Sequence, residues 1–124
     1  MPDARIDRWS RRIVHPRLTL TTAHVEATLR QVQASLNDKG FRSTPADDGF
    51  RAKRRPWLSW LAASPATPCV LLVEPTSPGT VVVDVEGTGD HPAPEKVAEA
   101  LTDAVRLLTA AGVEVQWDEW EAVP

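Results

Sequence analysis

CVLLVEPTSPGTVVVDV, residues 69–85, is the stretch that decides the fold of this chain. Its two ends, 69–73 and 80–85, are rich in the apolar and β-branched residues typical of strands. Pro and Gly punctuate the residues between them, which predicts a turn and therefore an antiparallel pair. In the second strand, the two-residue period of a strand separates two faces. One face, toward the core, carries Val81, Val83 and Val85, and the other carries Thr80, Val82, Asp84 and Glu86.

Strand 69–73 is apolar on both of its faces, which indicates a strand that is covered on both sides. Two helices are predicted to cover one side, from about Thr22 to Lys39 and from about Pro94 to Ala111. Their apolar residues recur at helical spacing as Val25, Leu29, Val32 and Leu36, and as Val97, Leu101, Val105 and Leu108. Each stripe is narrow, so the second side of the sheet needs another cover. The N-terminal arm, the segment 57–61 and a second subunit are the three candidates.

Further strands are predicted at 41–44 and 50–54, which form a hairpin, and at 113–120. The expected fold class is α+β, in the order α-β-β-β-β-α-β. It is a two-layer sandwich, with a mainly antiparallel sheet of about five strands and two helices on one face. The chain is expected to be a single domain, 1–124, in which residues 1–17 form a basic N-terminal arm. Residues 12–20 could add a strand, which Pro16 would confine to a sheet edge.

Composition narrows the class of protein without naming a function. The 124 residues are 42% apolar and 25% charged, as in an ordinary globular domain. Cys69 is the only cysteine, which excludes an internal disulfide and any Cys-x-x-Cys site. The N-terminus lacks the apolar core of a secretory signal, and no apolar run reaches membrane-spanning length, so a cytoplasmic protein is expected. The excess of Arg over Lys is typical of a GC-rich bacterial genome.

Charge is divided unevenly along the chain. Residues 1–62 carry twelve Lys/Arg and six Asp/Glu, a net +6, whereas residues 63–124 carry two and eleven, a net −9. Such polarity is neutralised within one fold, between two copies, or by a charged partner. If pairing is internal, Arg51 and Lys53 of the hairpin should lie beside Glu114 and Asp118 of the last strand. Trp120 would then share their face and stack on an Arg guanidinium.

No catalytic, cofactor-binding or metal-binding residue is predicted, and a non-catalytic protein is favoured over an enzyme. The stretch 85–92 has two glycines of a phosphate-binding fingerprint, but Pro92 replaces the third, which favours a flexible connection. Asp84, Glu86, Asp90 and His91 lack the spacing of a known metal site. Cys69 heads an apolar strand, which favours a buried thiol over a nucleophile.

The remaining constellation is a run of cations beside aromatic residues. We predict that the residues of this run bind a partner, together with Trp120. They are Arg51, Lys53, Arg54, Arg55, Trp57 and Trp60. The run is typical of surfaces that bind a protein, a nucleic acid or an anionic membrane. The alternative without a binding role is that its Trp residues pack beneath the loop while its cations face solvent. We interpret the chain as a non-catalytic interaction module, protein-binding and self-associating as a homodimer. The alternative is a small nucleic-acid-binding protein using residues 51–60.

Overall fold

Across residues 5–10, 12–54, 68–89 and 92–123, which the computed structural model describes, seven strands form one sheet and two helices cover one face of it. The elements follow in the order β1 (Pro16–Thr22), α1 (Val25–Asp38), β2 (Arg42–Ala46), β3 (Gly49–Arg54), β4 (Cys69–Ser77), β5 (Thr80–Thr88), α2 (Ala93–Ala110), β6 (Val115–Trp117) and β7 (Glu121–Ala122). The α+β class, the antiparallel sheet and the two-helix layer are therefore confirmed. The predicted order lacked β1 and β7, and the predicted last strand, 113–120, is shortened to β6.

The hairpin of β4 and β5 forms the middle of the sheet. Neighbouring strands run in the order β2-β3-β4-β5-β1-β6, every pair is antiparallel, and β7 also pairs with β1. Both hairpin strands are longer than predicted and meet at Pro78-Gly79, where Gly79 has a φ of +82°. Its left-handed backbone suits glycine and closes the turn. The decisive stretch therefore forms the centre of the fold.

β1 lies inside the sheet, between β5 and β6, and not at an edge. The expectation from Pro16 was wrong because this proline is the first residue of its strand. Pairing of β1 with β5 begins one residue later, where Arg17 lies opposite Asp84. The missing N–H of Pro16 therefore interrupts no hydrogen bond of the β1–β5 ladder. Leu18 and Leu20 of β1 point into the core and are fully buried.

The helices pack through the predicted stripes. Every residue of the two stripes belongs to the core or packs against it, together with Ala100 and Ala104 of α2. α1 begins three residues later than predicted because Thr22 ends β1 instead of capping the helix. The Thr22 hydroxyl nevertheless binds the helix, since its Oγ1 lies 2.7 Å from Oγ1 of Thr28. Gly40 and Gly112, which follow the two helices, both have positive φ, as is common just after a helix.

The basic N-terminal segment packs against α2 through its apolar residues. Ile6 and Trp9 are each only 2% exposed. The N–H of Ile6 donates to Oγ1 of Thr102 at 3.0 Å, and the Thr102 hydroxyl donates back to the Ile6 carbonyl at 3.3 Å. Trp9 meets Trp120 edge to face, with ring centroids 5.1 Å apart. Residues 5–10 therefore lie beside the helix layer and the C-terminal end of the sheet.

Candidate interaction surface

The sheet face opposite the helices, here called the open face, carries a small apolar patch at its centre. The patch consists of Val70 and Leu72 on β4 and Val82 on β5. Val82 is 5% exposed, whereas Val70 and Leu72 are half-buried. Neither helix covers this face, and the described N-terminal residues 5–10 lie on the helix side. The patch is therefore the one expected from a strand that is apolar on both faces.

Strand register places the patch on the two middle strands. Leu72 lies opposite Asp84, and Val82 lies between Glu74 on β4 and Thr19 on β1. The alternate residues of the same strands, such as Leu71 and Val83, are fully buried beneath the helices. This separation follows from the two-residue period, so the patch cannot turn inward without exposing the core residues.

Two arginine–carboxylate pairs flank the patch. Nε of Arg17 lies 2.6 Å from Oδ1 of Asp84, and Nη2 lies 3.3 Å from Oδ2. Arg51 binds Glu86 in the same two-pronged way, at 2.7 and 3.3 Å. The hydrogen bond to its carboxylate raises the pKa of each guanidinium above its ordinary value. Both pairs are partly exposed, so they orient side chains around the patch more than they stabilise the fold.

Beyond these pairs, the open face is basic at one side and acidic at the other. Arg42 on β2 and Lys53 on β3 lie directly opposite each other on this face and are exposed; we call them the basic edge. At the far side, β7 places Glu121 beside Arg17, and we call this glutamate, with Asp118 and Glu119 before it, the acidic edge. Within the described part of the chain, none of these five residues forms an ion pair.

The predicted pairing of the hairpin with the last strand is wrong. β3 and β6 are separated by β4, β5 and β1, so Arg51 and Lys53 cannot reach Glu114 or Asp118. Pairing between the two halves of the chain nevertheless occurs elsewhere. It joins Arg17 to Asp84, Arg51 to Glu86, Arg8 to Glu95, and Lys39 to both Glu99 and Asp103. Among the described residues, those of the two opposite edges form no ion pair, although Glu121 lies directly opposite Arg17 in the sheet.

The predicted partner-binding residues are not gathered at one place. Lys53 is exposed on the open face and Arg51 is committed to Glu86. Nε of Arg54 donates to the Lys39 carbonyl at 3.1 Å, so its side chain lies on the helix side, at the end of α1. Arg55, Trp57 and Trp60 lie outside the described residues.

The prediction that Trp120 stacks on an arginine of the open face is wrong. It packs edge to face against Trp9, and its Nε1 donates to the Asp7 carbonyl at 2.7 Å. Trp120 therefore ties the C-terminal segment to the N-terminal one. Its assignment as a partner-binding residue stays a prediction.

Two edge residues of the open face, Arg42 and Glu121, were missed by the sequence analysis. Both acquire their position only from the strand order, because their own sequence neighbourhoods carry no binding motif. One signal in the sequence could have helped to place Glu121. Leu18 and Leu20 alternate as in a strand, which identifies β1, the strand with which the C-terminal residues pair.

The described residues that the sequence offered for other kinds of chemistry have structural roles. Burial raises the pKa of the Cys69 thiol to about 12, against a smaller opposing effect of Arg54, so its thiolate is not available near neutral pH. Asp84 and Glu86 bind arginines, Asp90 and His91 lie outside the described residues, and the described residues contain no group of three potential metal ligands. Gly87 pairs with Val70 inside β5, so the glycine pattern begins within a strand and not in a loop.

No protein-family model matches this chain, and no curated protein matches it in sequence. Of the helices that the structure describes, neither has the length and apolar character needed to cross a membrane.

Proposed function

We propose that this chain is a non-catalytic interaction module that binds protein through its open face and self-associates as a homodimer. The observation that carries the proposal is the apolar centre of the open face, which no described element covers and where Val70 and Leu72 remain partly exposed. A small apolar centre surrounded by polar and charged side chains is the usual anatomy of a protein interface. In β-sandwiches, an apolar sheet face of this kind is covered by the apolar face of another sheet.

The charges around the patch favour protein over nucleic acid as the partner. Glu74, Asp84 and Glu86 all lie on the open face and would repel a phosphate backbone. Arg51 is already bound to one of these carboxylates, and Arg54 binds a helix carbonyl on the other side of the sheet. Among the described residues, only the basic edge therefore remains for phosphates on this face, whereas nucleic-acid sites use many cations.

Light scattering after size-exclusion chromatography tests self-association, with a matched pair of leucine variants. The wild-type chain, 13.6 kDa, should have twice that mass at about 100 μM, which would populate a dimer with a micromolar Kd. Leu72→Asp should return it to one chain, because the variant places a charge within the patch. Leu107→Asp is the control, since this leucine is 52% exposed on α2, away from the open face.

A monomeric wild-type chain would overturn self-association, and a Leu72→Asp variant that stays dimeric would overturn the open face as its site. Circular dichroism of both variants shows whether either has unfolded. A shift assay with single-stranded and duplex DNA and RNA tests the nucleic-acid alternative. Binding that weakens steeply with salt, with a shallower slope after Arg42→Ala and Lys53→Ala, would favour that alternative.

A further inference from the structure

β6 ends the path of the sheet on the side opposite β2, so one of its two sides has no neighbouring strand among the described residues. It pairs with β1, where Gln116 lies opposite Thr21. A sheet edge of this kind is a template on which an extended peptide adds a further strand. β2 is protected against such addition by Pro45, which has no N–H, and by the exposed Arg42, whereas β6 contains neither a proline nor a charged side chain.

Hydrogen bonds at the two ends of β6 show which backbone groups are directed to its free side. The N–H of Asp118 donates to β1 at 3.2 Å, and the carbonyl of Glu114 accepts the N–H of the residue after β1, at 3.4 Å. Residues that bond a given neighbour alternate along an antiparallel strand, so the N–H and C=O groups of Val115 and Trp117 point away from β1. Two donors and two acceptors are therefore directed to the free side, spaced for a partner strand.

The side chains along β6 indicate what a partner strand should carry. Val115 and Trp117 point to the helix side, where Val115 is buried and Trp117 is half-buried. Apolar partner side chains beside them would bury more of the Trp117 ring. Glu114 and Asp118, which alternate with them, are exposed and form no ion pair within the described part of the chain. A cation opposite each carboxylate would form a favourable cross-strand pair.

A second copy of this chain is a poor partner for this edge. Antiparallel pairing of two β6 strands would join Val115 of one copy to Trp117 of the other. The same register places Glu114 opposite Asp118, twice in the pair. Like charges directly opposite each other are destabilising. The edge therefore disfavours its own copy and favours a basic strand from a different protein.

We propose that β6 binds an extended basic segment of another protein by strand addition. The segment runs antiparallel to β6, with two apolar side chains beside Val115 and Trp117 and a cation opposite each of Glu114 and Asp118. Its pattern is a cation, an apolar residue, a polar residue, an apolar residue and a second cation. This inference goes beyond the proposed function, because it uses an edge of the sheet and not the open face.

An NMR titration of the isotope-labelled chain with three capped peptides tests the proposal. GKVTVKG has the predicted pattern, GEVTVEG reverses its charges, and the third peptide is GKVTVKG with both valine nitrogens methylated. GKVTVKG should shift the amide signals of Val115 and Trp117 and slow their hydrogen exchange, because these N–H groups gain acceptors. Its Kd should be about tenfold or more lower than that of GEVTVEG. The methylated peptide has lost the N–H groups that face β6 and should not shift the two amides.

Charge reversal on the chain gives an independent readout. The double variant Glu114→Lys with Asp118→Lys should exchange the preferences, so that it binds GEVTVEG more tightly than GKVTVKG by about tenfold or more. The control is Asp38→Lys with Asp48→Lys, which makes the same change of net charge at exposed positions beside β2, at the other side of the sheet. It should leave both Kd values nearly unchanged.

Three results would overturn the proposal. The first is no binding of GKVTVKG at about 5 mM, where a Kd of 1 mM would fill most sites. The second is equal binding of the methylated and unmethylated peptides, which would exclude strand addition. The third is equal binding of GKVTVKG and GEVTVEG, which would exclude a basic partner. The mass measurements that test the homodimer do not involve β6, so either proposal can fail alone.

Discussion

Cys69 occupies the first position of β4, with its side chain in the core and the backbone of Gly89 close beside it. A Cβ placed on Gly89, whose φ is +66°, would lie 2.8 Å from Cβ of Cys69. There is no room for a larger group here, and water is kept away from the thiol. Burial accordingly raises the pKa of Cys69 from 9.0 to about 12. This burial was predictable, because the cysteine leads directly into an apolar strand.

The Cys69 thiol should make the fold less stable at alkaline pH. Above pH 9 the unfolded chain loses the thiol proton while the folded chain keeps it, so the free energy of unfolding falls as pH rises toward 12. Below pH 9 the thiol has no such effect. Between about pH 9 and 10.5, urea unfolding of the wild type should lose about 2 kcal/mol more than Cys69→Ala, which lacks the group. Equal losses in the two chains would contradict the buried, neutral thiol.

Thr102 should anchor the N-terminal segment. Its hydroxyl exchanges two hydrogen bonds with the backbone of Ile6, and both residues are buried. Thr102→Val leaves that N–H and carbonyl without partners, so it should cost about 1–3 kcal/mol of stability. Thr102→Ser keeps the hydroxyl and should restore most of the loss. Hydrogen exchange of the Ile6 amide should be faster in the valine variant only, and unchanged exchange would count against the anchor.

At the scale of elements, the tight β2–β3 hairpin lies against β4 at Gly49. A Cβ at this glycine would lie 2.0 Å from the carbonyl oxygen of Val73 and 2.8 Å from Cα of Glu74. Both are backbone atoms, which cannot rotate away as a side chain can. The turn is shorter than the sequence predicted, since only Asp47 and Asp48 separate the strands. Glycine at position 49 is what permits this close approach.

Gly49→Ala should destabilise the chain by more than about 2 kcal/mol, because the backbones of β3 and β4 must separate. Gly112→Ala is the control, since it places no atom within 4 Å of a neighbour and only strains a φ of +84°. The control should cost about 1–2 kcal/mol. Urea unfolding of the two variants compares them directly. A Gly49→Ala chain as stable as the control would contradict the described packing of the hairpin.

The elements themselves were predictable to different degrees. Both helices and the middle hairpin follow from local periodicity, which a single sequence displays. β1 was obscured by two local signals, a proline that usually marks an edge and a Thr pair, Thr21 and Thr22, that resembles a helix N-cap. Its place inside the sheet depends on pairing with β5 and β6, which are distant in sequence. Such pairing is a tertiary property that overrides local preference.

At the scale of the whole molecule, the basic and acidic halves of the chain are folded into one sheet and its helix layer. Ion pairs join the halves at several points, such as Arg17 with Asp84 and Lys39 with Glu99. The open face of the sheet keeps a residual polarity, from Lys53 at one side to Glu121 at the other. Composition alone predicted the polarity but not its direction across the sheet, because that direction is set by strand order. The charges that the open face presents to a partner therefore depend on this order.

Intermolecular nuclear Overhauser effects test the account of an open-face homodimer most directly. The sample is a dimer of equal parts isotope-labelled and unlabelled chains at about 100 μM or above, where a micromolar Kd keeps most chains paired. The account predicts intermolecular contacts from the methyl groups of Val70 and Leu72, which are half-buried on the open face, with no contact from Leu107 on α2. Intermolecular contacts from Leu107 and none from Val70, Leu72 or Val82 would contradict it, as would the absence of any intermolecular contact.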